Sequence, residues 1–122
     1  MLLREMMRAK IHGITVTAKN LHYTGSLGID AHLLDAAGML HNEKVQVVNL
    51  ANGERMETYA IRAPAGSGHC VLNGGMALKG NEGDRLLVIT YAYCDEETAR
   101  ALQSRVIVVD PGSNLQFESR PS

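Results

Sequence analysis

The residues able to do chemistry in this chain of 122 amino acids fall in a few short stretches. His22-Tyr23-Thr24-Gly25-Ser26 sets a serine hydroxyl directly after a glycine carbonyl. Alone, a Gly-Ser pair is the ordinary composition of a turn or a cap, because glycine admits φ > 0 and serine satisfies free backbone donors. Lys10-Ile11-His12 puts an amine and an imidazole two residues apart, which on a pleated strand is one face, with Ile11 on the other. Arg55 and Tyr59 also share a face of an unbulged strand. They are about 13 Å apart, so they can line one small-molecule site only from opposite ends, or with a bulge or a second subunit helping. Asn73-Gly74-Gly75 turns sharply, and its free N–H groups can bind a carboxylate. It has neither the dinucleotide nor the Walker glycine pattern. Each stretch also has a plain structural reading: a solvated strand face, an exposed arginine, a half-buried tyrosine, a turn. Ser26 as nucleophile with His12 as base describes a hydrolase. That reading lacks an orienting carboxylate and a nucleophile-elbow sequence.

The elements that must position these residues are mostly strands. Ile11, Ile14, Thr15, Val16 and Thr17 form a β-branched cluster within residues 4–17. His22 to Ser26 reads as a strand end entering a tight turn. Asp30 is an N-cap for a short helix over Ala31–Ala37, closed by Gly38 as a left-handed C-cap. Val45 to Leu50 is a strand, Asn52-Gly53 a hairpin signal, and Glu54 to Arg62 the return strand. In that strand Arg55, Glu57, Tyr59 and Ile61 face one way and Met56, Thr58 and Ala60 the other. Pro64 to Gly68 is a loop, and Cys70-Val71-Leu72 a short buried strand. Arg85 to Tyr93 is a central strand, and Asp95 caps a helical stretch through Leu102. Val106 to Val109 is a last strand stopped by Pro111-Gly112, and the polar segment from Ser113 to Ser122 is expected to be mobile. Many short strands with two short helices indicate a mainly β fold, a small barrel, without choosing its topology.

The length fits one domain, 1–122. Hydrophobic residues are 45 %, with one Phe and no Trp, so the core must be Val, Ile, Leu, Ala and Met. So small a domain buries a limited share of its surface, and oligomerisation is expected to supply more. A net charge of -1 gives no electrostatic footprint for nucleic acid or acidic membranes. No apolar run approaches a membrane span, and charge interrupts Met1-Leu2-Leu3-Arg4-Glu5 too early for a signal peptide. Cys70 and Cys94 have no C-x-x-C partner, which fits structural thiols in a reduced cytoplasmic protein. His41-x-Glu43 is too poor a cluster for a metal.

In order and spacing, Lys10-Ile11-His12, His22-Tyr23-Thr24-Gly25-Ser26, Asn52-Gly53-Glu54-Arg55, Thr58-Tyr59-Ala60-Ile61 and Asn73-Gly74 resemble the pyruvoyl-dependent aspartate 1-decarboxylases, from about Arg4 to Asp110. The resemblance implies a six-stranded double-psi β-barrel assembled as a homotetramer. It implies decarboxylation of L-aspartate to β-alanine and CO2, supplying pantothenate and coenzyme A. Decarboxylation leaves a carbanion that no ordinary side chain delocalises; it takes an imine conjugated to an electron sink. No convincing pyridoxal-phosphate site is visible, and the family uses a pyruvoyl group cut from its own chain. That implies cleavage between Gly25 and Ser26, giving a β-chain 1–25 and an α-chain 26–122. Glycine at 25 suits this, by letting a hydroxyl approach and by tolerating a strained peptide. By resemblance Thr58 and Asn73 are oxyanion donors, with Tyr23 and His12 assisting proton movements. Arg55 and Lys10 are the substrate cations, unassigned between the two carboxylates. Gly74-Gly75-Met76 is a backbone contact, and Tyr59 protonates the α-carbon.

Two positions depart from the family pattern: Gly13 stands where a basic residue is common, and Gly75-Met76 replaces a run of alanines. The alternative to a decarboxylase of this kind is a noncatalytic barrel of the same fold, with Gly25-Ser26 intact.

Overall fold

The computed structural model describes residues 1–122. Nine strands alternate with two short helices and one 3-10 turn: β1 Arg4–Thr15, β2 Ala18–Asn20, β3 Ser26–Asp30, α1 Ala31–Ala37, β4 Lys44–Asn49, β5 Arg55–Ala63, β6 Cys70–Asn73, the 3-10 helix Gly74–Leu78, β7 Arg85–Cys94, α2 Glu96–Ala101, β8 Arg105–Asp110 and β9 Ser113–Pro121. Their order across the sheet is β2-β6-β3-β5-β4-β7-β1-β8-β9. The two ends of this ladder are joined by the chain itself. Only Val16 and Thr17 separate β1 from β2; Val16 N donates to Asp84 O at the β7 side, and Thr17 N to Cys70 O at the β6 side, both at 2.8 Å. One bent strand, β1 continued by β2, therefore closes a barrel with β6, β3, β5, β4 and β7, and the β8–β9 hairpin is added outside on β1. The barrel thus has the expected six strands, and the count of nine comes from the break at Val16 and the extra hairpin.

The barrel interior is aliphatic, as a chain with one Phe requires. Ile11, Ile14, Val16, Leu27, Ile29, Val45, Val47, Leu72, Leu86 and Val88 are buried, and Leu33, Leu34 and Ala37 of α1 and Ile107 of β8 belong to the same buried cluster. Fully burying a side chain of this size contributes about 1.5–3 kcal/mol. Cys70 belongs to the same core, and burial pushes its thiol pKa up to about 12.

Helix α1 has the predicted limits. Asp30 accepts from His32 N at 2.8 Å, and Gly38 sits at φ 72. Asp30 does more than cap: its buried carboxylate also takes Gly66 N at 3.1 Å and Gly68 N at 2.8 Å. Burial raises its pKa, but these backbone donors outweigh burial and hold it below the usual range. Glu43 is a second such carboxylate. Burial again pushes upward, and hydrogen bonds from Thr90, Leu40 N and Arg8 bring the net shift below the ordinary value.

The segment after Pro111 corrects the expectation of a mobile tail. Pro111-Gly112 is a hairpin turn rather than a stop, and β9 runs back along β8 from Ser113 to Pro121. Buried Asn114 anchors it: Thr15 N donates to Asn114 Oδ1 at 2.9 Å, and Nδ2 donates to Thr15 O at 2.8 Å and Gly68 O at 3.0 Å. Position 13 also gains a reason. Gly13 lies at φ 86 in a β1 irregularity, where a Cβ would fall 2.2 Å from Arg85 Nη2. The Arg85 guanidinium fills that space, donating to Gly13 O and Val109 O.

Candidate active site

Ser26 opens β3 and is wholly buried, although the five residues before it are exposed. Strand β3 lies between β6, antiparallel, and β5, parallel. The β6 register sets Asn73 opposite Ser26, and Asn73 Nδ2 donates to Ser26 Oγ at 3.0 Å. Asn73 stands at the N-cap of the 3-10 helix, yet its side chain makes no capping bond there. Its carboxamide is spent on the serine instead.

The peptide before Ser26 departs from the sequence argument about glycine. Gly25 is not in the left-handed region, and a Cβ there would meet nothing within 4 Å. The tight contact belongs to Gly74, at φ 67, where a Cβ would fall 2.8 Å from Gly25 Cα. Gly75 is exposed and open, and Met76 is buried, its side chain packed in the core.

Strand β5 supplies the other wall. Leu27 is level with Ala60 in the parallel ladder, so one residue earlier Ser26 runs level with Tyr59, and Gly25 with Thr58. Thr58 is half-buried, on the inward side with Met56 and Ala60; Tyr59 points outward, 38 % exposed. Tyr23, at 51 %, is in the exposed loop.

Lys10, His12 and Arg55 lie elsewhere. His12 is level with Leu87, Leu87 with Val48 and Val48 with Arg55, one row across four strands. Lys10, Ile89, Gln46 and Glu57 form the next row. The outer face of β1, β7, β4 and β5 thus carries all three cationic or titratable side chains. Around the closed barrel, β1 and its continuation β2 are two strands from β3 through β6 and four through β7, β4 and β5, and His12 is exposed and Lys10 half-buried on the outer face while Ser26 is wholly buried. One copy of the chain brings Ser26, Asn73, Gly74, Thr58 and Tyr59 together, and does not bring Lys10 or His12 to them.

Gln46, which the sequence reading does not single out, holds Arg55. Its Oε1 accepts from Tyr91 Oη at 2.7 Å and from Arg55 Nη2 at 3.3 Å, which fixes the guanidinium through a neutral partner and leaves its charge uncompensated. The only signal in the chain is the outward position of Gln46 between Val45 and Val47. Gln46 and Tyr91 also line a cavity of about 340 Å³ with Glu5, Lys44, Glu57 and Tyr93. That cavity holds no serine and mixes both signs of charge, so the chemistry is argued from Ser26 and not from it. No three His, Cys, Asp or Glu side chains converge as a metal site, and no helix is long and apolar enough to cross a membrane.

A family model described as Aspartate decarboxylase matches residues 2–116. The chain belongs to the aspartate decarboxylase family. Among its relatives is the aspartate 1-decarboxylase of Carboxydothermus hydrogenoformans, 52 % identical over 105 residues, covering 86 % of this chain and 83 % of that protein. That of Acaryochloris marina is 50 % identical, covering 97 % and 89 %. That of Bordetella pertussis is 46 % identical, covering 93 % of both. Within this family the Ser26–Asn73 pair is the feature of the fold best arranged for chemistry, because it buries a hydroxyl beside a donor at the end of an exposed loop.

Proposed function

We propose that the chain is a proenzyme that cleaves itself between Gly25 and Ser26, and that the remnant of Ser26 becomes the pyruvoyl group with which it decarboxylates L-aspartate to β-alanine and CO2. The observation that carries this is the buried Ser26 hydroxyl, held by Asn73 and preceded by exposed backbone. The cleavage balances without an outside reagent other than water. Ser26 Oγ bonds to the Gly25 carbonyl carbon as the Gly25–Ser26 C–N bond breaks, giving an ester and a free amine. Loss of the Ser26 α-proton expels the Gly25 carboxylate and leaves dehydroalanine. One water then replaces the nitrogen, which leaves as ammonia. Asn73 Nδ2 and the Thr58 hydroxyl are the donors for the oxyanion that forms on Gly25; Tyr23 and His12 assist its proton transfers.

Position 26 fits the group. Its side chain is already enclosed and already faces a hydrogen-bond donor, so a carbonyl formed there would be dry and polarised. Once formed, the group supplies a carbonyl for the substrate amine and an adjacent amide carbonyl to accept electrons; neither a metal nor pyridoxal phosphate is required.

The remaining residues recognise aspartate. Arg55 and Lys10 pair with its carboxylates, and Arg55 can do so with two parallel hydrogen bonds. Pairing the departing carboxylate would stabilise the ground state, so the retained one is the better partner. Gly74, Gly75 and Met76 offer backbone to the substrate, and the Tyr59 phenol protonates the α-carbon. Lys10 and His12 reach Ser26 from a neighbouring copy, because in their own chain they lie on the outer face of β1 while Ser26 is wholly buried on β3. Half-buried Leu87, Ile89 and Val48 between those polar residues are the apolar ground for that contact. The assembly is a homotetramer of cleaved chains acting in the cytoplasm, and its product feeds pantothenate and coenzyme A synthesis.

The test is β-alanine formation from aspartate after exhaustive removal of metals and pyridoxal phosphate. Full activity is expected. Activity lost on removal and restored by either addition would overturn the reading.

A further inference from the structure

Gly74 touches the segment that must break, and the contact is backbone against backbone. A Cβ at position 74 would lie 2.8 Å from Gly25 Cα, 2.9 Å from Gly25 N and 3.1 Å from Tyr23 O. No rotamer change relieves such an overlap; one of the two main chains must move. Ser26 and Asn73 are paired across β3 and β6 and both are buried, while Leu21 to Gly25 are exposed. The side free to yield is therefore Gly25, by something on the order of 1 Å. Ser26 Oγ stays pinned by Asn73, so its alignment with the Gly25 carbonyl is what changes.

We propose that Gly74 is a positioning residue for self-cleavage. The side chain it lacks is the space in which the Gly25 peptide rests, against the start of the 3-10 helix and within reach of the Ser26 hydroxyl. The inference rests on the cleavage proposed above, and is separate from any contact of Gly74 with substrate. Misplacing reacting atoms by about 1 Å can cost about 10²-fold in rate.

Three glycines separate this role from ordinary backbone strain. Gly53 has a positive φ of 75 and Gly83 a positive φ of 91, and both have open space around them. Only Gly74 among these combines a positive φ with the Gly25 contact. Asparagine enters the left-handed region more readily than other residues with a Cβ, so Gly74→Asn keeps the backbone while adding the obstructing atom.

The experiment follows cleavage at 25/26 by intact mass in freshly made full-length protein, at a temperature where every variant is folded, with thermal midpoints measured alongside. Gly53→Ala and Gly83→Ala should cleave at the wild-type rate. Gly74→Ala and Gly74→Asn should cleave at least about tenfold more slowly, with the Gly74→Asn midpoint lowered no more than that of Gly53→Ala. Wild-type cleavage in both Gly74 variants would overturn the inference, as would equal slowing in Gly53→Ala. A wild-type chain that never cleaves would overturn the proposed function, and this inference with it.

Discussion

Asn73 and Ser26 face each other across the β3–β6 ladder, and the Asn73 carboxamide donates to the Ser26 hydroxyl at 3.0 Å with both side chains buried. In the proposed cleavage the same donor serves the oxyanion that forms on Gly25. Removing one oxyanion donor costs about 10²–10³-fold in rate. Asn73→Ala should therefore fold and slow cleavage about 10²-fold, read from the intact-mass time course. Wild-type cleavage would reduce the hydrogen bond to a packing detail.

Arg55→Ala should lower kcat/KM for aspartate at least about tenfold, the value of one charge-assisted contact. Steady-state kinetics on fully cleaved protein give the answer, and an unchanged kcat/KM would remove Arg55 from the site.

If the cations come from a neighbouring copy, two inactive chains should repair each other. Co-expressed Lys10→Ala and Ser26→Ala chains would form some sites with Lys10 from one copy and a cleaved position 26 from the other, roughly a quarter by random mixing. Activity well above the sum of the separate variants is expected. No gain in demonstrably mixed oligomers would contradict the shared site.

Tyr59→Phe keeps the ring and removes the proton. It should cleave normally at Gly25–Ser26 and make β-alanine about 10²–10⁴-fold more slowly, the usual cost of losing a general acid. Near-normal turnover by the cleaved variant would return Tyr59 to an outward strand tyrosine.

The depressed carboxyl of Asp30 makes a pH prediction. A folded-state pKa below the unfolded value means the native state is stabilised in full above about pH 4–5, and that stabilisation is lost as pH falls toward the folded pKa. Glu43 adds to the same acid-side loss. The urea midpoint should hold between pH 7 and about 5 and fall as pH is lowered from about 5 toward 3. Asp30→Asn should cost about 2 kcal/mol or more at pH 7 and flatten that slope. An unchanged slope would contradict the assignment.

Much of this was legible in the chain, for local reasons. Asp30 and Gly38 bound α1 because a carboxylate cap and a left-handed glycine are short-range signals. The inward and outward sides of β5 followed from period two, as Thr58 and Tyr59 show. What was not legible depends on partners distant in sequence. Strand β9 exists because Asn114 binds Thr15 and Gly68, which no pattern within Ser113–Pro121 announces. Gly25 invited a claim of strain that belongs to Gly74, since only the β3–β6 register brings those two glycines together. The Tyr91–Gln46–Arg55 arrangement needed three strands to be set side by side before it could be seen.

The central claim is that position 26 ceases to be serine, and intact mass of the purified protein tests it most directly. The account predicts two chains, 1–25 and 26–122. The longer one should be lighter than a serine-initiated fragment by the mass of one ammonia and blocked to Edman degradation, while Ser26→Ala stays a single chain. A single uncut wild-type chain that nevertheless converts aspartate to β-alanine would contradict it, and so would a split at 25/26 that survives in Ser26→Ala.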